Sequence, residues 1–307
     1  MKKIACIIVT YNRKTLLCNC LEAVIGQDYR PSVVYIVDNA STDGTKDALV
    51  KSFSLDLSKN TFARNNIEFK YIGLKENIGG AGGFYTGIKT AYETNEYDGF
   101  WVMDDDGVPD KQCLHKLVEH LDEYDYIAPE VIDINDHSRM AFEYCGERES
   151  FESKAHNNII KGIACPFNGI LYSKRLVAKV GFPKKEMFIW GDEENYNARA
   201  VKAGFAPITV VGAKHYHPSN RVQTAKSLFG QIDVAPQMWR CYCRYRNAIY
   251  NHKEEMSIFG LTYVFINHVY YYLIKKHSLK WTKCYINAFI AGLKGDFTGL
   301  NKYMRKA

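Results

Sequence analysis

The chain has 307 residues, a length that fits one large domain or a core with an appendage. Apolar residues make up 47% of it and charged residues 24%, which excludes disordered and collagen-like classes. A net charge of +6 is too weak to argue for nucleic acid as a partner. Nine scattered cysteines, odd in number, lack the pattern of a disulfide framework and fit a reducing compartment.

Met1-Lys2-Lys3 leads straight into an apolar run over 4–9, too short for a signal peptide and without a small-residue cleavage site. It reads as a first strand. A helix over 12–25, a strand over 33–37, a helix over 45–53, a strand over 69–72, a helix over 82–93 and a strand over 100–103 follow in turn. Such alternation specifies a parallel sheet with right-handed crossovers and helices on both faces, an α/β fold of nucleotide-binding type. Beyond residue 126 the pattern loosens, with short strands expected around 127–132, 164–172 and 207–211. A helix over 193–203 is closed by Gly204 as its C-terminal cap. After Arg221 the chain reads as helical to its end, and no internal repeat or low-complexity segment interrupts it. The expected division is a catalytic domain over 1–225 and a helical region over 226–307.

Phe100-Trp101-Val102-Met103 ends abruptly in Asp104-Asp105-Asp106. A buried parallel strand places its C-terminal end where open α/β sheets bind ligands. Three carboxylates there repel one another and lose hydration, an arrangement that calls for a divalent cation, usually one carrying phosphates. Asp38 ends the second strand on the same edge. Between the two lies Asn77-Ile78-Gly79-Gly80-Ala81-Gly82-Gly83-Phe84, whose glycines allow close backbone approach and leave amide N–H groups free for an anion or a sugar hydroxyl. The run lacks the Walker lysine and the GxGxxG spacing, which rejects ATPase and dehydrogenase readings. Trp190-Gly191-Asp192-Glu193-Glu194 sets three carboxylates at a helix start, more than capping requires, and one of them is a candidate base. His215-Tyr216-His217 offers a histidine that would complete a metal shell with the acidic triplet.

Four motifs in order carry a family resemblance: Ile8-Val9-Thr10-Tyr11-Asn12-Arg13, Val37-Asp38-Asn39-Ala40-Ser41-Thr42-Asp43-Gly44-Thr45, the Asp104-Asp105-Asp106 triplet and the acidic helix start. Over residues 1 to about 220 the chain resembles the inverting family-2 glycosyltransferases, which have a GT-A fold. The 77–84 run followed by Met103-Asp104-Asp105-Asp106 is most similar to galactofuranosyltransferases that use UDP-galactofuranose. Rhamnosyltransferases of polysaccharide assembly, using dTDP-rhamnose, are the near relatives. The resemblance implies that Thr10, Asn12, Asp38, Asn77, Gly79 and Asp105 attend the nucleotide. It implies that Asp104 and Asp106 hold Mn²⁺ or Mg²⁺ on the diphosphate, with His217 as the histidine ligand and His215 as its substitute. Glu193 becomes the base, with Asp192 as the alternative, and Trp190 and Gly80 lie beside the sugar and acceptor. The implied partners are a UDP- or dTDP-sugar donor and a glycan or polyprenyl-linked acceptor, and a single displacement inverts the anomeric centre.

From Ser257 onward aromatic residues interleave with Lys275, Lys276, Lys280, Lys283 and Lys294, and Asp296 is the only carboxylate. The apolar stretch over 256–274 is long enough to raise a membrane span, but Asn267, His268 and many tyrosines argue against it. Helices of this composition suit an anionic membrane surface, or packing on the catalytic core or on a second copy of the chain. The expectation is a cytoplasmic protein, peripheral on the inner face of the cell membrane. Arg244, Arg246 and Asn247 share one helix from which an arginine would reach a phosphate. Two rival functions remain: a haloacid-dehalogenase-type phosphatase, from Asp104-x-Asp106-Gly107-Val108, and a non-catalytic sugar-nucleotide-binding scaffold.

Overall fold

The computed structural model describes residues 1–219 and 223–304, so the expectations at residue 221 and for 305–307 lie outside the described residues. The chain divides into two compact units, one of Met1–Lys185 with Tyr196–Asn220, the other of Glu186–Asn195 with Arg221–Ala307.

The first unit begins β1 (Ile4–Thr10), α1 (Lys14–Ile25), β2 (Val33–Asp38), α2 (Thr45–Phe53), β3 (Thr61–Arg64), β4 (Ile67–Gly73), α3 (Gly79–Glu93), β5 (Gly99–Asp104) and β6 (Val108–Pro109). It continues with α4 (Cys113–Val118), β7 (Tyr126–Asp133), α5 (Arg148–Glu152), β8 (Ile159–Lys161), β9 (Asn168–Ser173) and α6 (Lys174–Val180). The last two elements to enter it are α7 (Asp192–Lys202), which starts in the other unit, and β10 (Ile208–His217). All seven residues of β1 are buried, because a central strand covered on both faces has no solvent side to make polar. Ile4, Cys6 and Ile8 pack with Leu17, Leu21 and Val24 of α1, while Ala5, Ile7 and Val9 pack with Phe84, Ile88 and Ala91 of α3. The period of two thus divides one apolar run between two cores.

The sheet order is β3-β4-β2-β1-β5-β9-β7-β10-β6, with β8 also on β10. The run β4-β2-β1-β5 is parallel, as the alternation predicts. Outside it β3, β6, β8 and β9 pair antiparallel with their neighbours, so the whole is mixed. Three expected elements have different bounds for identifiable reasons. Helix α3 starts at Gly79, not residue 82, so the glycine run forms its first turn. A Cβ on Gly83 would come within 2.4 Å of Val9 Cγ1 and one on Gly87 within 2.5 Å of Ile7 Cγ2, so these glycines seat the helix on the sheet. Strand β10 runs on to His217, past a bulge between Val210 and Lys214. Glu130 Oε2 accepts the Gly212 N–H at 2.7 Å and Lys116 Nζ donates to the Gly212 carbonyl at 2.8 Å, fixing the bulge. Finally, the segment expected to be helical after residue 221 opens with an antiparallel hairpin, β11 (Gln223–Lys226) and β12 (Gln231–Val234).

The second unit then holds α8 (Met238–His252), α9 (Ile258–Tyr270) and α10 (Leu279–Lys294) around an aromatic core that includes Tyr242, Tyr245, Tyr272, Tyr285 and Phe289. Asn267 is buried and binds the hairpin tip, donating to the Phe229 carbonyl at 3.2 Å and accepting the Phe229 N–H at 3.0 Å. Among the described residues no helix is long and apolar enough to cross a membrane.

Candidate active site

Register places the site. Thr10 stands opposite Asp38, and Val9 opposite Asp104, so the ends of β1, β2 and β5 form one row at the C-terminal edge of the parallel strands. The end of β10 joins them from the other side, since β6 pairs Pro109 with His215 and Val108 with Tyr216 directly after the acidic turn. One ligand atom each from Asp104, Asp106 and His217 lies within 4.8 Å of the others. His217 Nε2 is 3.2 Å from Asp106 Oδ1, and the Phe142 ring stacks on the imidazole with centroids 5.7 Å apart. Two carboxylates and one imidazole make a donor set of hard oxygens and borderline nitrogen, which fits a divalent cation.

Asp105 does a different job. It is 2% exposed and accepts from Thr10 Oγ1 at 2.7 Å and from Arg13 at 3.0 Å. The same Arg13 nitrogen donates to Asp106 Oδ2 at 2.8 Å. Burial raises the Asp105 pKa above the usual carboxylate range, while Arg13 and Thr10 work in the opposite direction. Burial likewise opposes the Arg13 charge, but Asp105, Asp106 and Asp104 outweigh it and hold the guanidinium protonated. One cation of the chain itself therefore offsets part of the repulsion in the triplet.

His215 is fully buried, and its ring fills the space that Cβ atoms would occupy at Gly107 and Gly169. Burial and the nearby His217 push its pKa down to about 3 despite Asp106, so it is a neutral wedge behind the acidic turn, and His217 is the histidine whose ring lies with Asp104 and Asp106. Asp38 accepts from the Ser41 N–H at 2.8 Å and from the Tyr71 hydroxyl at 2.7 Å. Asn12, at φ 53°, accepts the Thr42 N–H at 2.7 Å and lies in the loop after β1. Asn77 Oδ1 accepts the Gly79 N–H at 2.8 Å at the start of α3, and a Cβ on Gly80 would meet nothing within 4 Å.

The acidic helix start belongs to the second unit. Asp192 is 4% exposed, Glu193 half-buried, and Glu194 exposed with His252 Nε2 at 3.1 Å. The backbone leading to them is strained, with positive φ at Phe188 (69°), Trp190 (60°) and Gly191 (87°). For aromatic residues such angles cost about 1–3 kcal/mol each. The Trp190 ring is half-buried against the second unit's core, and the Arg240 guanidinium sits 5.6 Å from its centroid. Gly204 closes α7 as expected: at φ 94° it donates to the Val201 carbonyl while the Phe205 N–H reaches Ala200.

The idea that Arg246 reaches a phosphate is overturned. Arg246 is fully buried and its donors go to Asn247 Oδ1 and to the Met187 and Phe297 carbonyls, while Arg244 pairs with Asp233. Sequence reasoning gave Arg13 no role, although it ends the first motif, and no pattern marked Phe142.

Residues 5–177 match the family model described as Glycosyl transferase family 2. The galactofuranosyltransferase GlfT1 of Mycolicibacterium smegmatis is 28% identical over 241 residues, covering 75% of each chain. That of Mycobacterium tuberculosis is 29% identical over 235 residues, covering 74% of this chain and 73% of the relative. Among solved structures, S. aureus TarS superposes with a TM-score of 0.56 at 16% identity, covering 97% of this chain and 50% of TarS. The mannosyltransferase PcManGT from Pyrobaculum calidifontis, in complex with GDP-Man and Mn²⁺, gives 0.54 at 16% identity, covering 99% of this chain and 81% of its own. The fold is the GT-A fold implied by the motifs.

Replacing Arg13 by Met removes the partner of a buried carboxylate. Arg13 is 36% exposed, so the loss should fall below the about 3–5 kcal/mol typical of a fully buried pair. Without Arg13 the Asp105 pKa rises further above its unfolded value. Such a group stabilises the fold below the unfolded pKa and loses that contribution as pH rises through the folded one. Urea unfolding should therefore show a deficit against wild type that is larger at pH 7.5 than at pH 4.5; equal deficits would contradict this role for Arg13.

Proposed function

Because the chain belongs to glycosyl transferase family 2, we propose that it moves galactofuranose from UDP-galactofuranose onto a glycan or polyprenyl-linked acceptor in cell-surface polysaccharide synthesis. The observation that carries this reading is the Asp104, Asp106 and His217 cluster on the sheet edge where α/β folds bind nucleotides. The activity named for the two mycobacterial relatives supports the choice of sugar.

The residues take these parts. Thr10, Asn12, Asp38, Asn77, Gly79 and Asp105 shape the nucleotide site, and Gly80, with open space at its Cβ, leaves room for the sugar. Asp104, Asp106 and His217 would hold Mn²⁺ or Mg²⁺, which would supply Lewis-acid stabilisation of the charge on the departing diphosphate. Glu193 takes the proton from the acceptor hydroxyl as it attacks the anomeric carbon from the face opposite UDP. One displacement inverts the configuration, and no carboxylate nucleophile of the retaining type is required. Glu193 is half-buried where Asp192 is 4% exposed, which favours Glu193 as the group open to an acceptor. Trp190 offers an aromatic surface to that acceptor.

The test is a screen of UDP-galactofuranose, UDP-galactose, UDP-glucose and dTDP-rhamnose with Mn²⁺, read as nucleotide release. Turnover should be highest with UDP-galactofuranose. Glu193→Gln should lower transfer roughly 100-fold to 10,000-fold while UDP binding persists. Release from dTDP-rhamnose alone would make the chain a rhamnosyltransferase, and hydrolysis of simple phosphomonoesters without any transfer would contradict the reading altogether.

The second unit is proposed to rest on the inner face of the cell membrane. On α9, Ile258 (71% exposed), Phe259 (83%) and Ile266 share one helix face, and on α10 Leu279 (77%), Ile290 and Leu293 do the same. Exposed Lys275, Lys276, Lys280, Lys283 and Lys294 accompany these apolar faces, and the charge suits anionic lipid. Phe259→Glu with Leu279→Glu should abolish sedimentation with phosphatidylglycerol vesicles. Unchanged sedimentation would defeat the membrane proposal, and a dimer dissociated by the same pair would assign the face to a second copy.

A further inference from the structure

Helix α8 carries a row of buried polar side chains that the reaction as described does not use. Asn247 is fully buried, and its two amide protons are shared among the carbonyls of Met187 (3.0 Å), Ile189 (3.1 Å) and Trp190 (2.6 Å). Its Oδ1 accepts from Arg246 Nε at 2.9 Å, which fixes which way the amide faces, and a second Arg246 nitrogen donates to Met187 O at 2.8 Å. One turn on, Asn251 Nδ2 donates to the Gly191 carbonyl at 2.8 Å and to Glu194 Oε2 at 3.2 Å. The φ of 87° at Gly191 would strain any side chain there, and a Cβ would stand a tight 3.1 Å from Asn247 Cβ. Every carbonyl from Ile189 to Gly191 is thus gripped by α8, and two of these three residues, Trp190 and Gly191, have positive φ. Strained backbone persists only where its surroundings over-determine it, and such segments gather at functional sites.

We propose that Asn247, backed by Arg246 and Asn251, is the positioning residue for the acidic segment: it locks the strained Met187–Gly191 backbone and so sets the direction of Glu193. This rests on the reading of Glu193 as the base. The C-terminal helices then act in the transfer step itself and are more than a docking device.

Asn247→Asp is nearly isosteric, but a carboxylate has no N–H to give the three carbonyls. It should lower kcat by about 10-fold to 100-fold while KM for the donor and the Kd for UDP with Mn²⁺ change less than about 2-fold, because a 1 Å misplacement of a catalytic group alone has effects of this size. Amide exchange in the 187–195 peptide should quicken with the rest of the chain unchanged. Combined with Glu193→Gln, it should slow transfer no further than Glu193→Gln alone. Asn251→Ala, on the milder outer contact, should give a smaller fall of the same kind and covers the case in which the Asn247 variant does not fold. Unaltered kcat and exchange in a folded Asn247→Asp or Asn251→Ala protein overturns the proposal. Wild-type transfer by Glu193→Gln would instead overturn the base reading, which the exchange measurement does not depend on.

Discussion

Three like charges at the end of a buried strand are held together by the groups around them, and the rest of the site depends on how that repulsion is distributed. Asp105 turns away to Thr10 and Arg13, so the strand end is pinned through a neutralised carboxylate. Asp104 and Asp106 are left to gather with His217. Arg13 also touches Asp106, so a single guanidinium from the loop after β1 ties the strand that opens the fold to the one that carries the ligands. At 4 Å two unit charges interact by about 4 kcal/mol at an effective dielectric of 20. Repulsion on that scale within the triplet would be relieved by a divalent cation held there.

The fold around this edge was legible wherever burial dictates composition. The apolar runs of β1, β2 and β5 need no alternation because helices cover both faces, and they read as strands at once. Helix α2 has the bounds expected, Thr45–Phe53. What sequence hid was tertiary. The glycines before Phe84 are poor helix formers, and the need for one at Gly83, where a Cβ would run into Val9, arises only from packing against the sheet. The last half of β10 is polar or aromatic, with little apolar run to mark it, and it is kept in the sheet by β6 and β7.

The site was legible in part for the same reason. Carboxylates after an apolar strand point to a candidate cation site from sequence alone. The choice between His215 and His217 cannot be read that way, since residues two apart on a strand share a face. Depth in the structure separates them: one ring is wedged between two glycines and the other reaches Asp106. Arg246 and Asn247 illustrate the converse error, in which charge on a helix suggests a ligand while the side chains are in fact consumed by backbone carbonyls. Three carbonyls on one amide cannot be inferred from spacing.

The proposed function requires that Asp104, Asp106 and His217 together hold one divalent cation beside the donor. Electron–nuclear double resonance on Mn²⁺ added to the protein with UDP tests it directly. The account requires ³¹P coupling and the coupling of a single imidazole nitrogen on the same ion, with the nitrogen signal lost in His217→Ala and kept in His215→Ala. Absence of nitrogen coupling in the wild type, or its survival in His217→Ala, would contradict the account.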